Sequence, residues 1–275
     1  MTAPHSPVPA RTASGIAFDY LPGQPGAPVL LFLHAGVADR RMWEEPFEAL
    51  AGRFGLLRVD LRGFGDSDTD ARHWSHATDV AEVLDGLDVD HVHVVAASFG
   101  AGVGVQLALA HPERVRSLVL APVGGAMLLT MTPAFRAFVD AESAALDAGD
   151  VDAAVEQNVT TWVVGHGRTA RDVPAGVCDR VRVMQRRAFE LADRISAPSD
   201  GDDEPFERAA AMQAPTLIIV GAHDLDTGID AARQWASALP NVDLEQWDDV
   251  AHLPSLEQPK RFTARLTEWL VAHGD

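Results

Sequence analysis

The chain has 275 residues, enough for one large domain or two modest ones, and its 47% hydrophobic and 23% charged residues are typical of a globular protein. A formal net charge of −18, with Lys260 as the only lysine, argues against nucleic acid or an anionic membrane surface as a partner. Cys178 is the only cysteine, which excludes an intrachain disulfide. Since the N-terminal stretch MTAPHSPVPARTAS lacks the apolar core of a signal peptide, we interpret it as a loose leader and expect a cytoplasmic protein.

Short apolar runs alternate with helix-like stretches along most of the chain. A hairpin strand is predicted near Ser14–Tyr20, before the turn LPGQPG. Further strands are predicted at Val29–His34, Gly55–Asp60, His91–Ala97, Val115–Ala121, Thr216–Gly221 and Val242–Trp247. Helices are predicted at Met42–Ala51, Asp79–Leu87, Phe99–His111, Thr227–Ala238 and Pro259–Ala272. This alternation predicts a doubly wound, mostly parallel β-sheet of the α/β class, whose ligands collect at the carboxyl ends of the strands.

The segment 122–212 interrupts the alternation, because it contains no convincing strand. Three helix-like stretches are predicted there instead, at Pro133–Ala148, Val151–Gly165 and Pro174–Ile195. They are followed by the acidic linker APSDGDDEP, whose GDDE run is expected to be solvated, with calcium binding as a remote alternative. We therefore expect a core made of residues 1–121 and 213–275, with 122–212 forming a helical cap over the strand ends.

The stretch VVAASFGAG places Ser98 between a predicted strand and a predicted helix. A serine on such a sharp turn projects its hydroxyl from the sheet edge, and the residues two before and two after it must be small. Here they are Ala96 and Gly100, so the usual G-x-S-x-G pattern becomes A-x-S-x-G. Ser98 is therefore a candidate nucleophile, with a simple helix cap as the alternative interpretation.

A serine nucleophile needs a histidine base and a carboxylate that orients the imidazole. PTLIIVGAHDLDTG places Asp224 directly after a predicted strand, and WDDVAHLPSLEQP places His252 after the last one. The order Ser98, Asp224, His252 is the chain order expected for this architecture. Asp226 remains open as an alternative acid, and Asp248 and Asp249 lie near His252 in sequence.

Four further segments resemble the α/β-hydrolase superfamily, and the resemblance covers nearly the whole chain. LLFLHAG-VADRRMW resembles the His-Gly loop, with Ala35 replacing the glycine, and DLRGFGDSD resembles the D-x-R-G-x-G-x-S stretch. GAHD and VAHLPSLEQP resemble the segments that carry the acid and the histidine. The resemblance implies an oxyanion hole formed by the N–H groups of Gly36 and Phe99, with Val37 as the alternative to Gly36.

The resemblance also implies a serine hydrolase that cleaves a small, largely apolar ester or lactone through an acyl-enzyme, without metal or cofactor. A serine nucleophile disfavours the branches of the family that open halides and epoxides. The alternatives are a small-molecule-sensing binding module with slow turnover, and a carbon–carbon hydrolase, acyltransferase or perhydrolase using the same triad. The sequence leaves the substrate and the oligomeric state open, with a homodimer as the commonest arrangement.

Several other patterns have plainer interpretations. The spacing of Gly100, Gly102 and Gly104 is not that of a dinucleotide-binding loop. His91 and His93 are expected to be exposed or edge histidines rather than a metal site, since no further ligands lie at suitable spacing. His34 is expected to have a structural role in the oxyanion loop. The candidate residues for the walls of a substrate pocket are Trp43, Phe135, Phe138, Trp162 and Met184. The alternative interpretation is that they belong to the hydrophobic core.

Overall fold

A computed structural model describes residues 7–70, 73–198 and 205–273. In these ranges the chain forms an eight-stranded sheet with the strand order β1-β2-β4-β3-β5-β6-β7-β8. The strands are β1 (Val8–Arg11), β2 (Ala17–Leu21), β3 (Val29–Leu33), β4 (Gly55–Val59), β5 (Val92–Ser98), β6 (Val115–Val123), β7 (Thr216–Gly221) and β8 (Val242–Trp247). Strands β3 to β8 run parallel, and β2 is antiparallel to both β1 and β4. The predicted doubly wound, mostly parallel α/β sheet is confirmed.

The sheet is buried on both faces because its central strands carry apolar side chains at almost every position. In β3, Leu30 and Phe32 join the hydrophobic cluster on one face, whereas Leu31 and Leu33 join the cluster on the other. This distribution follows from the two-residue repeat of a strand. The continuous apolar runs of the sequence are therefore the strands that helices cover on both sides.

The helices occupy the connections between strands and the segment after the last strand, as predicted. They are α1 (Glu44–Leu50), α2 (His76–Gly86), α3 (Phe99–Ala110), α4 (Pro133–Asp147), α5 (Val151–Asn158), α6 (Val177–Ala192), α7 (Asp226–Ala238), α8 (Pro254–Glu257) and α9 (Pro259–His273). The predicted helix Met42–Ala51 is divided into a 3₁₀ turn at Arg40–Trp43 and α1. Among the described residues, none of the helices combines the length and the apolar character needed to cross a bilayer.

The N-terminal segment differs from the prediction of a loose leader. Val8–Arg11 pairs antiparallel with β2, with Pro9 opposite Asp19. Proline cannot donate to a sheet ladder, but it is tolerated on an edge strand, and β1 is the edge of this sheet. The prolines that led to the prediction of an unstructured leader are thus compatible with an edge strand.

The segment between β6 and β7 is helical, and α4 and α5 begin at side-chain caps. Thr132 Oγ1 accepts a hydrogen bond from the N–H of Phe135, and Asp150 Oδ1 accepts one from Ala153. Helix α5 continues as a π-helical turn over Val159–Val164, where a single helix is predicted. These helices share one hydrophobic cluster with the sheet. The acidic linker is predicted largely within residues 199–204, which lie outside the described ranges.

Candidate active site

Ser98 occupies the strained turn between β5 and α3. Its backbone has φ 52° and ψ −114°, a conformation that non-glycine residues rarely adopt. A Cβ at Gly100 would lie 2.5 Å from the carbonyl oxygen of His34, so only glycine fits this close approach of helix and strand. The methyl of Ala96 fits here, because even a Cβ at the facing Gly104 would make only an ordinary contact with it, at 3.6 Å; such a Cβ would instead lie 2.9 Å from Val94 Cγ1.

The structure brings Ser98, His252 and Asp224 into one hydrogen-bonded chain. His252 Nε2 lies 2.8 Å from Ser98 Oγ, and His252 Nδ1 lies 2.8 Å from both carboxylate oxygens of Asp224. Asp224 follows β7 and His252 follows β8, so adjacent parallel strands deliver the acid and the base to the same edge of the sheet. Both side chains are buried, whereas Ser98 is partly exposed.

Two of the other candidate carboxylates, Asp226 and Asp249, are engaged elsewhere. Asp226 is the first residue of α7, and its Oδ1 accepts hydrogen bonds from Thr132 Oγ1 at 2.6 Å and from the N–H of Thr227 at 2.8 Å. Asp249 forms an ion pair with Arg261 at 3.0 Å. Among the candidate acids, the geometry therefore favours Asp224.

The loop after β3 carries Gly36 and Val37 to the cavity that contains Ser98. His34 connects this loop to the segment after β4. Its Nδ1–H donates to the Ala35 carbonyl at 2.9 Å, and its Nε2 accepts from the N–H of Leu61 at 3.0 Å. Burial lowers the pKa of His34, which keeps the ring neutral, as this pair of bonds requires. The structural interpretation of His34 agrees with these contacts.

Phe99 directly follows Ser98 in the chain, and its side chain lines a neighbouring cavity. It is the first residue of α3, where backbone N–H groups have no intrahelical acceptor. A Cβ at Gly36 would lie 3.4 Å from the Phe99 Cβ, so the two loops are in contact. Gly124 closes the site from the end of β6, where a Cβ would lie 2.5 Å from Ser98 Oγ. Gly124 was not predicted as a site residue, although the double glycine after a predicted strand was a usable signal.

The DLRGFGDSD segment braces this edge of the sheet. Asp60 accepts from the N–H of Arg40 at 2.7 Å and from that of Asp66 at 2.8 Å, which connects the loops after β3 and β4. Arg62 is fully buried and makes a bidentate pair with Asp79, at 2.7 and 2.9 Å. A buried guanidinium is stable only with such a partner, so these residues have a structural role.

The amino-acid sequence of this chain also matches a known protein family. Residues 28–259 match the family model described as alpha/beta hydrolase fold. This match spans most of the chain. The chain belongs to the α/β-hydrolase family. Its predicted membership is thereby confirmed.

Individual relatives of this α/β-hydrolase are distant. A proline iminopeptidase of Levilactobacillus brevis is 26% identical over 268 residues, covering 90% of this chain and 89% of the relative. Carboxylesterase YbfK of Bacillus subtilis is also 26% identical, covering 90% and 82%. The solved structure of Est816, described as an N-acyl homoserine lactone degrading enzyme, matches with a TM-score of 0.76 and 25% identity, covering 95% of this chain and all of the other. Each of these is a protein that this chain resembles.

The α/β-hydrolase has a cavity of about 410 Å³ above Ser98. Its lining residues are Gly36, Val37, Ser98, Gly124, Gly125, Leu128, Phe135, Phe138, Glu142, Asn158, Trp162, Gln185 and His252. Three of the five candidate wall residues are thus in place, and the Trp162 ring lies 4.5 Å from the His252 ring. Trp43 and Met184 are instead buried in the hydrophobic cluster.

Segment 162–168 contacts the loops that carry the acid and the histidine. The N–H of His252 donates to the Trp162 carbonyl at 3.2 Å, and the N–H of His166 donates to the His223 carbonyl at 2.8 Å. The buried Arg168 and Glu257 form an ion pair at 2.7 Å whose angles fall outside those of a hydrogen bond. Glu257 also accepts from the N–H of Ala251, next to His252, at 2.8 Å. This ion pair was not predicted from the sequence.

Three polar side chains of the cavity, Glu142, Asn158 and Gln185, were also missed. Gln185 lies on the buried stripe of α6, among Val181, Met184 and Ala188. A polar residue inside an apolar helical stripe was the available signal. The cavity is therefore less uniformly apolar than predicted.

His91 and His93 differ in their environments. His91 is exposed, as expected, and its Nδ1–H donates to the Glu113 carbonyl at 3.0 Å. The prediction is wrong for His93, which is buried because β5 lies between β3 and β6, and which contacts Ser117 Oγ at 2.8 Å. Within the described ranges, no group of three His, Cys, Asp or Glu residues is arranged to hold a metal ion.

Proposed function

We propose that this α/β-hydrolase is a serine hydrolase that cleaves a carboxylic ester or lactone, with Ser98 as nucleophile, His252 as base and Asp224 as orienting acid. The observation that carries the proposal is the unbroken set of 2.8 Å contacts from Asp224 through His252 to Ser98, whose hydroxyl opens into the cavity. Nucleophile, base and orienting group within hydrogen-bond reach are the signature of an activated serine.

In the proposed reaction, Ser98 Oγ attacks the substrate carbonyl carbon while His252 Nε2 takes its proton. The imidazolium then gives this proton to the leaving alkoxide, which departs as an alcohol and leaves an acyl-serine. Water attacks the acyl carbon while His252 takes a proton from it. The imidazolium then returns this proton to Ser98 Oγ as the bond between Oγ and the acyl carbon breaks and the carboxylic acid leaves. Asp224 stays ionised throughout and holds the Nδ1–H tautomer of His252.

The proposed oxyanion hole consists of the N–H groups of Gly36 and Phe99. Both residues adjoin Ser98, and the Phe99 N–H lies at a helix N-terminus, where the helix dipole adds positive potential. Donors of this kind stabilise the charge that develops on the carbonyl oxygen by roughly 3–4 kcal/mol each. They act on the transition state more than on the bound ester, so they raise the rate of acylation.

We propose residues 122–212 as the cap that selects the substrate. The segment supplies Phe135, Phe138 and Trp162 to the cavity wall. These aromatic side chains favour a substrate whose acyl or alcohol part has apolar surface. Among the relatives, a carboxylesterase and a lactone-degrading enzyme support esters and lactones as the substrate class.

Intact-mass measurement after treatment with a fluorophosphonate probe tests the proposal. We expect stoichiometric labelling of the wild type and none of Ser98→Ala, while Ser237→Ala, which changes an exposed serine of α7, labels like the wild type. A folded wild-type protein that neither this probe nor a smaller phosphonate labels would exclude an activated serine and with it the proposed function.

A further inference from the structure

Gln185 lines the cavity above Ser98, and its side-chain oxygen Oε1 is an unpaired acceptor among the described residues. Its side chain is only 4% exposed, and Oε1 is fully buried without a hydrogen-bond partner among the described residues. Buried polar atoms are almost always paired in folded proteins, because an unpaired one loses its hydration without compensation. Since Gln185 lines the same cavity as Ser98 and His252, rotation of its terminal amide would let this enclosed oxygen pair with a molecule bound there.

Glu142 and Asn158 stand in the same wall and add further acceptor capacity. Asn158 is 3% exposed, and its Nδ2 donates to Glu142 Oε1 and to the Ala154 carbonyl. Both donor positions of this amide are thereby used, whereas the Glu142 carboxylate keeps unused lone pairs. The ion pairs formed within the described ranges do not include Glu142. This wall therefore offers acceptors without an intramolecular cation to satisfy them.

We propose that Gln185 and the Glu142–Asn158 pair form a subsite for a hydrogen-bond donor, an N–H or O–H group carried by the substrate away from its scissile carbonyl. The inference rests on the proposed function and narrows the substrate from an apolar ester to one that carries such a donor. A site built to pair with a donor discriminates strongly against an analogue that lacks it, because the buried acceptor is then left alone.

Matched methyl esters that differ in one group test the subsite. Methyl N-acetylglycinate and methyl 4-oxopentanoate differ only by N–H against CH₂, and methyl 6-aminohexanoate and methyl heptanoate only by ammonium against methyl. With hydrolysis followed by proton release, we expect wild-type kcat/KM to favour the donor ester of at least one pair by roughly 10- to 100-fold.

Three variants assign this preference to residues. Gln185→Leu is expected to bring the ratio of the amide pair close to one and to reduce that of the ammonium pair, in which Glu142 still accepts. Gln185→Glu is expected to retain both ratios, since a carboxylate offers only acceptors. Glu142→Gln is expected to reduce the preference for ammonium but not that for the amide. Gln246→Leu makes the same chemical change at an exposed position of β8 and is expected to keep the wild-type ratios.

The outcomes separate this inference from the proposed function. Wild-type ratios near one, or ratios that survive in Gln185→Leu, would overturn the subsite even if fluorophosphonate labels Ser98. Should Ser98 prove unreactive, calorimetric binding of the same four esters to Ser98→Ala decides the question without turnover. Preferential binding of the donor esters, lost in the double variant Ser98→Ala/Gln185→Leu, would support the subsite, and equal binding would refute it.

Discussion

At the scale of single residues, the choice between Asp224 and Asp226 has a direct test. Asp224→Asn preserves the shape of the side chain but lets the amide favour the wrong tautomer of His252, so we expect kcat/KM to fall by about 10⁴. Asp226→Asn keeps an oxygen that accepts from Thr132 and Thr227, so we expect a change of only a few-fold. Steady-state kinetics on one ester, with thermal melts to verify folding, compare the two. An equal loss of kcat/KM in both variants, or a larger loss in Asp226→Asn, would show that the assignment of Asp224 as the acid is wrong.

The same pair of residues illustrates how far the sequence determines a site. Ser98 and His252 could be predicted because the motif and the chain order leave each with one suitable position. Asp224 and Asp226 both follow β7, and only the start of α7 at Asp226 directs that side chain toward Thr132 rather than His252. Gln185 could not be assigned to the cavity, because its position depends on how α6 packs against α5 and the π-helical turn.

At the scale of elements, the ion pair between Arg168 and Glu257 connects the segment after α5 to the loop of His252. Glu257→Gln keeps an acceptor for Ala251 but leaves the buried guanidinium without a counter-charge. Removal of one partner of a buried pair typically costs about 3–5 kcal/mol of unfolding free energy. Urea unfolding should show a loss of this size for Glu257→Gln.

Two comparisons sharpen this prediction. Glu156→Gln breaks the more exposed pair with Arg182, which should cost less than about 1 kcal/mol. Adding Arg168→Met to Glu257→Gln removes the stranded charge and should recover most of the stability. The prediction fails if Glu257→Gln destabilises the protein no more than Glu156→Gln does.

Elements were predictable where burial leaves a periodic trace in the sequence. The strands of the parallel sheet carry continuous apolar runs because both of their faces are covered. Strand β1 was missed because an edge strand needs neither apolar continuity nor every backbone donor, so its prolines misled the prediction. The π-helical turn at Val159–Val164 was missed because a helical sequence pattern does not distinguish hydrogen bonds between residues five apart from the α-helical bonds between residues four apart.

At the scale of the whole molecule, the sheet and the helices between β6 and β7 are joined in one apolar cluster. The sequence predicts the helices of this segment, but not that Trp162 reaches His252 or that the N–H of His252 donates to the Trp162 carbonyl. Such contacts depend on long-range packing between residues 90 positions apart, which no local pattern encodes. The proposed cap therefore also helps to position His252.

Burial of His93 makes the stability of the whole molecule depend on pH. Burial lowers the pKa of this histidine to about 4, whereas in the unfolded chain it is near 6.5. Above the unfolded pKa both states are neutral at this position and no stability is lost. As the pH falls from 6.5 toward 4, His93 becomes protonated in the unfolded chain but stays neutral in the folded protein. The free energy of unfolding therefore falls.

We expect His93→Gln to remove this contribution while retaining a polar group that can bond Ser117 Oγ. The dependence of unfolding free energy on pH should then become shallower by about 1 kcal/mol per pH unit around pH 5. A remaining slope is expected from His76, whose pKa burial lowers to about 3. Urea unfolding between about pH 7.5 and pH 4.5 measures the slopes, with the exposed His91→Gln as control. If His93→Gln and His91→Gln give the same slope as the wild type, His93 is not held neutral by the fold, and its burial against Ser117 must be relieved in solution.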